Sequence, residues 1–343
     1  MFFRDLLVFT FSGILQFLTV FFTLAVAFVN GWTDAPNAIA SCVVTRCLSM
    51  KKAVVMASLC DFAGAMIMGL FSSRVINTVA GLIGFEANGM QAICAAMSSV
   101  AVWATAAWAF GIPTSESHAL MASLMGAGIA AESGFRTVAL AEWRRVFFGL
   151  FLSVLLGFFS GFIISKITVY TFKRREKEAC DIIFKRAQIT ASALMSFMHG
   201  AQDSQKFAGI LLIAFSLSGF ENVSETISFP MLMVSSLVIA LGTATGGGRI
   251  IKAVGMDMIR LRRDQGFSAD AAGAFCLLIS TAFGLPVSTT HTKTSAILGV
   301  GASKSIKAVN WSVACEMAAA WLLTFPGCVL LGYLMTQIFI RLF

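Results

Sequence analysis

Two eight-residue stretches share the pattern Gly-x-Pro-x-Ser-x-x-His: Gly111 to His118 reads Gly-Ile-Pro-Thr-Ser-Glu-Ser-His, and Gly284 to His291 reads Gly-Leu-Pro-Val-Ser-Thr-Thr-His. They lie 173 residues apart and use two of the five prolines and two of the three histidines in the chain. A proline inside an apolar run breaks or starts a helix, leaving the N–H groups of the following turn without intrahelical partners. Those N–H groups, the positive end of the helix dipole, and the hydroxyls of Ser115, Ser117, Ser288, Thr289 and Thr290 suit a small anion held by neutral donors. No arginine stands in either stretch. A bidentate guanidinium would hold an oxyanion tightly, whereas neutral donors release it, as a carrier must. One Gly-Pro followed by serine is usually an ordinary turn with an N-cap. Two matched copies point to a built site.

A second pair brings carboxylates. Asn30-Gly31-Trp32-Thr33-Asp34-Ala35-Pro36-Asn37 and His199-Gly200-Ala201-Gln202-Asp203-Ser204-Gln205-Lys206 each close an apolar run, at an offset of 169 residues, around a shared Gly-x-x-Asp. A carboxylate at the bilayer centre costs about 2.5 to 3.5 kcal/mol on insertion scales, so Asp34 and Asp203 are expected to face a polar cavity or a bound cation. Gly31, Gly200 and Pro36 predict unwound backbone whose carbonyls join the carboxylates around a hard cation such as Na+. Asn37, Gln202 and Gln205 add amides that donate or accept. Lys206 is expected to pair with Asp203 one turn away or to snorkel to the interface, and not to be a substrate ligand. His118, His199 and His291 all fall in these motifs, so a gating or proton role is open beside the commoner one of a structural donor. Their spacing is not that of a zinc site.

The elements that must position these groups are membrane helices. A chain with 58% hydrophobic and 12% charged residues and a mean hydropathy of +0.85 has lipid as its main solvent and no large soluble domain. At roughly 20 residues per span there is room for about eight to twelve passes or half-passes. Apolar segments run near Leu6 to Val29, Ala53 to Phe71, Ala87 to Phe110, Val146 to Phe172, Ile227 to Thr245, Ala269 to Phe283 and Trp311 to Ile340. The first has Arg4 ahead of it and no evident cleavage site before Asn30, and is read as a span. The eight cysteines show no C-x-x-C spacing and act as small hydrophobes. The net charge of +8 is concentrated in Lys173 to Arg186 and Arg249 to Arg263, placing these loops in the cytoplasm, with lipid contact secondary.

The repeat extends beyond the motifs: Gly126 and Gly128 recur as Gly299 and Gly301, and Trp143 as Trp311. The expected class is an all-α polytopic membrane protein of two structural repeats with broken helices, residues 1–172 and 187–343, joined by a basic cytoplasmic linker at 173–186. Sequence order alone leaves parallel and inverted repeats open. An odd number of spans per half inverts them, and inversion is the expectation.

These residues resemble the inorganic phosphate transporters, a family of cation-coupled phosphate symporters. The resemblance spans nearly the whole chain and rests on Gly31 to Ala38, His199 to Lys206, Gly284 to His291, and the Gly-rich Gly242 to Gly247 with Arg249. Thr33 and Gln202 stand where the family usually has Asn, and Asp61 and Asp270 where it usually has Glu. The resemblance implies inverted repeats, two re-entrant helical hairpins meeting around phosphate, coupling to Na+ or H+, and a homodimer. The expected phosphate ligands are Thr114, Ser115, Ser288, Thr289 and Thr290, with Asn37, Gln202 and Gln205. Asp34, Asp203, Asp61 and Asp270 are the expected cation-binding acids, with Na+ placed at Asp34 and Asp203. No cofactor beyond the coupling ion and no nucleic acid is expected, and the place is a bacterial cytoplasmic (inner) membrane among its lipids. No Gly-x-x-x-x-Gly-Lys-Ser/Thr loop is present, which makes an ion gradient the energy source. Hydrogen phosphate carries a donor hydroxyl and sulfate does not, so a carboxylate facing the anion favours phosphate. The alternatives are a permease for sulfate or another tetrahedral oxyanion, an uncoupled anion channel, and a membrane enzyme using Ser and His on phospholipid. The last is disfavoured because Glu116 has no counterpart in the second copy.

Overall fold

The computed structural model describes residues 11–84, 88–110, 114–131, 134, 138–218, 228–245 and 261–343. These residues form eleven α-helices: α1 Phe11–Val44, α2 Met50–Phe71, α3 Arg74–Ala80, α4 Gly89–Phe110, α5 Glu116–Ala131, α6 Leu140–Phe172, α7 Lys177–Leu217, α8 Phe229–Thr245, α9 Arg263–Ala282, α10 Thr289–Lys304 and α11 Trp311–Leu342. A chain this apolar has no water along its spans to satisfy N–H and C=O groups, and the helix satisfies them internally. Within α1, α2, α4, α6 and α11 lie five segments long and apolar enough to cross a membrane. α7 is longer than any of these, at 41 residues, but carries His199, Gln202, Asp203, Gln205 and Lys206, all buried. Polarity is therefore turned inward. Phe151, Phe159 and Ile163 of α6 and Leu322 and Leu330 of α11 are exposed, while Asp34, Asp61, Asp203 and Asp270 are buried. A water-soluble protein has the opposite arrangement.

The order α1, α2, α4, α5, α6 recurs as α7, α8, α9, α10, α11; the stretch between α8 and α9 that corresponds to the place of the short α3 lies outside the described residues. Packing follows the same exchange. α1 lies on α8 as α7 lies on α2, α5 on α11 as α10 on α6, and α4 touches α1 and α11 as α9 touches α7 and α6. Most of these contacts cross from one half to the other, so the halves interlock and neither forms a separate core.

The glycines of the Asp motifs do not unwind their helices. α1 runs unbroken through Gly31, and α7 through Gly200, so the run read as ending before Asn30 is helix to Val44, and the glycines free no carbonyls there; only Pro36, which has no N–H to give, leaves the Trp32 carbonyl without its helical partner. The reason is close packing. A Cβ on Gly31 would lie 2.2 Å from the carbonyl oxygen of Ile239 in α8, and one on Gly200 would lie 2.1 Å from that of Asp61 in α2. Small residues let backbones touch where lipid supplies no hydrophobic drive between helices. Gly126 and Gly299 do the same for α5 against Val329 and α10 against Phe158, each with 2.0 Å to the facing oxygen.

Breaks occur instead at the Gly-x-Pro motifs. Between α9 and α10 the chain turns at Gly284, which takes the left-handed φ of +67°. Between α4 and α5, Gly111, Ile112 and Pro113 lie outside the described residues, as do Gly246, Gly247 and most of Arg249 to Arg263. α5 and α10 have 16 residues each, which at 1.5 Å per residue is about 24 Å, short of the roughly 30 Å hydrocarbon core. Of the basic linker, Lys177 to Arg186 form the opening turns of α7.

Candidate functional site

α10 starts at Ser288, whose backbone is extended and whose Oγ accepts the N–H of His291 at 3.2 Å. Ser115 caps α5 in the same way, accepting the N–H of His118 at 3.2 Å. The two serine Oγ atoms are 2.8 Å apart, both fully buried. Two helix N-termini from opposite halves thus meet head to head, and their positive ends favour negative charge between or beside them.

That charge comes from α1 and α7. The carboxylate of Asp34 accepts from Asn37 Nδ2 at 3.0 Å, Asn30 Nδ2 at 3.4 Å and Thr289 Oγ1 at 3.4 Å, and also from the Thr290 hydroxyl. Thr289 Oγ1 is also 3.3 Å from Asp203 Oδ2, so one hydroxyl proton has two carboxylates in reach. Asp203 Oδ1 accepts from Lys206 Nζ at 2.5 Å. The same ammonium donates to Ser117 Oγ and to the carbonyl of Val287, both at 2.6 Å, and so ties α7 to both helix starts. Of the two expectations for Lys206, pairing with Asp203 is the one found.

His199 stands between two acids: Nδ1 is 3.2 Å from Asp61 Oδ1, and Nε2 is 3.4 Å from Asp203 Oδ2. The hydroxyl of Thr243 donates to Asp61 Oδ2 at 2.5 Å. Ligand atoms of Asp34, His199 and Asp203 all fall within 4.8 Å of one another, an arrangement able to hold a cation. The other histidines are elsewhere. The rings of His118 and His291 meet edge to face with centroids 4.2 Å apart, and His291 lies on Trp321 at 3.8 Å, a packed cluster behind the helix starts.

The remaining expected ligands divide. Thr114 is buried beside Ser115, and Asn37 Nδ2 reaches Thr290 Oγ1 at 3.2 Å as well as Asp34. Both amide atoms of buried Gln205 lack a protein partner. Gln202 is committed otherwise: its Nε2 donates to the Leu285 carbonyl at 2.8 Å and its Oε1 accepts from Thr281 at 2.6 Å, which pins the α9–α10 break. Asp270 is not brought to this cluster. It pairs with the ammonium of Lys293 and accepts from Ser41 Oγ at 2.6 Å, and Lys293 also donates to Ser41 at 3.1 Å. Sequence reasoning missed Lys293, although a lysine four residues after Thr289 shares its helix face. It named Asn30 within its motif and Glu116 as an unmatched acid, but gave neither a place in the site. Thr33 Oγ1 donates to Glu116 Oε1 at 2.6 Å, placing that acid in the first turn of α5 beside Asp34.

Comparison with known proteins bears on this geometry. The model of a family described as the phosphate transporter family matches residues 30–332. A Bacillus subtilis protein described as a probable low-affinity inorganic phosphate transporter is 36% identical over 319 residues, covering 93% of this chain and 95% of the relative. A protein of the same description from Rhizobium meliloti is 35% identical over 307 residues, covering 90% of this chain and 91% of its own. A solved structure described as the sodium-dependent phosphate transporter matches with a TM-score of 0.85 at 22% identity, over 96% of this chain and all of that one. That likeness concerns the fold.

Proposed function

The chain belongs to the phosphate transporter family, and from that premise we propose that it is a secondary symporter carrying inorganic phosphate across a bacterial cytoplasmic membrane together with Na+ or H+. The family and these relatives are transporters, which removes the phospholipid-enzyme alternative. The observation that carries the reading is the buried contact of Ser115 with Ser288, where two helix starts without arginine adjoin a pair of aspartates. Phosphate binds at the N–H groups and hydroxyls of Thr114, Ser115, Ser288, Thr289 and Thr290, with Asn37 and Gln205 reaching it from α1 and α7. Gln202 acts through the Leu285 carbonyl. Cations bind at Asp34 and Asp203, while Asp61 acts through His199 and Asp270 through Lys293. The Na+ of the similar solved structure's description supports sodium as the first coupling ion to test.

The repeats are inverted in this reading. α4–α5 and α9–α10 enter and leave on one face as hairpins, a reading supported by the polar breaks before Ser115 and Ser288 and by the 16 residues of α5 and α10. α8, of 17 residues, is counted as a crossing because it takes the place of α2. Each half then keeps three crossings, α1, α2 and α6 or α7, α8 and α11. An odd number reverses the second half. Residues 1–172 and 187–343 are the repeats, and the basic segment at 173–186 joins them on the cytoplasmic side.

Uptake of labelled phosphate into proteoliposomes under imposed Na+ or H+ gradients, with sulfate and arsenate as competitors, tests substrate and coupling together. Accumulation driven by a gradient, blocked by arsenate more than by sulfate, is expected. Flux indifferent to either gradient sinks the symport reading and returns the anion channel.

A further inference from the structure

The two helix starts differ at one position. Thr289, the first residue of α10, offers a hydroxyl to both Asp34 and Asp203. Its counterpart at the first position of α5 is Glu116, 173 residues earlier, and it brings a third carboxyl group where the other half brings a donor. Glu116 is 5% exposed. Its Oε1 is satisfied by Thr33, one residue before Asp34 in α1, Oε2 has no donor, and Asp34 is its neighbouring acid. Two carboxyl groups beside each other in a dry site do not both stay ionised unless a cation stands with them; without one they share a proton. Lys206 does not supply it, since its contacts are Asp203, Ser117 and Val287. With all three acids ionised, Asp34, Asp203 and Glu116 outnumber Lys206 even when His199, 3.4 Å from Asp203, carries a proton on both nitrogens, and the excess is negative at the place where an anion must enter.

Two further oxygens without a partner belong to residues that touch Asp34. Asn30 and Asn37 each spend the amide nitrogen on Asp34, and in each the side-chain carbonyl oxygen is buried with no partner. Buried acceptors left without a donor cost about 1 to 3 kcal/mol each, a cost that a metal cation removes. Carboxylate and amide oxygens are the ligands of hard cations.

We propose that Glu116 and Asp34 share a hard monovalent cation, with the side-chain carbonyl oxygens of Asn30 and Asn37 completing its oxygen shell, so that one coupling cation is bound through a residue the second half lacks. The cation lowers the negative charge before phosphate approaches the helix starts and so sets an order, cation first. This rests on the cation-coupled reading above. A protein that binds Na+ but moves no phosphate would overturn that reading and leave this one standing.

The test is a Na+ titration of the purified full-length protein in nanodiscs without phosphate, choline replacing Na+. Tryptophan fluorescence is the readout, because Trp32 stands two residues from Asp34 with its ring 4.3 Å from that of Trp108. A saturable response is expected in the native protein. Glu116→Gln should move its midpoint to Na+ concentrations at least about tenfold higher, Glu116→Asp should move it less, and Asp34→Asn should remove it. Glu142→Gln, in an exposed pair with Arg145, serves as the unaffected control. A Glu116→Gln midpoint equal to that of the native protein overturns the proposal. So does a native response to pH at fixed Na+ with none to Na+, which would put a shared proton in the cation's place. Should Glu116→Gln not fold, Glu116→Asp and Glu116→Thr, the latter making the two helix starts alike, carry the same comparison.

Discussion

Lys206 and Lys293 each place an ammonium group against a carboxylate at no more than 1% exposure, and each pair is held by further hydrogen bonds. Removing one member of such a pair leaves an unpaired buried charge, at a cost of about 3 to 5 kcal/mol. Lys293→Ala should therefore lower the thermal midpoint of the purified protein sharply, and adding Asp270→Asn should recover much of the loss; a double variant no better than the single would show that the two side chains do not depend on each other. Asp34 has neutral donors and no lysine among its hydrogen bonds. Asp34→Asn is accordingly expected to fold, to express at the native level and to lose gradient-driven uptake, whereas native uptake would make the aspartate architectural. Ser288→Ala removes both an N-cap and the contact with Ser115 and should weaken phosphate affinity more than cation affinity, read as a rise in the KM for phosphate at saturating Na+. The sequence showed the serines and aspartates because they occur twice. Lys293 and Glu116 occur once, so the comparison of halves passed over the first and noted the second only as unmatched, without a place in the site.

At the scale of elements, the motif glycines separate what was legible from what was not. Their recurrence in both halves marked the positions, but a glycine in an apolar run serves equally as a hinge or as a contact, and only the facing backbone decides. Here the Ile239 and Asp61 oxygens lie too close for any side chain. Gly200→Ala should force α7 from α2, displace Asp61 from His199, and reduce the folded fraction in size-exclusion chromatography. Normal yield and uptake from that variant would mean that the helices separate at little cost. The Gly-x-Pro breaks were readable because glycine, proline and a capping serine recur together; proline alone does not decide it, since Pro36 and Pro326 lie inside α1 and α11. Helix partners across the halves were not readable, since they depend on side chains facing each other in space rather than on spacing along one chain.

For the whole molecule, the head-to-head contact of Ser115 and Ser288 joins one helix from each half at the interlocked centre. Cysteines at both positions should form a disulfide under mild oxidation, and phosphate should slow that reaction by sitting between the helix starts. Equal rates with and without phosphate would move the anion elsewhere. The matched exchange of packing, α1 on α8 as α7 on α2, has an energetic corollary. If each half adopts the other's arrangement when access changes, the two end states contain the same kinds of contact and lie close in free energy. Neither side of the membrane is then favoured by the protein itself. Loaded from the inside with the gradients reversed, it should run as an exporter with comparable ease, and only the residues without a twin, foremost Glu116 where the other half has Thr289, would tilt that balance.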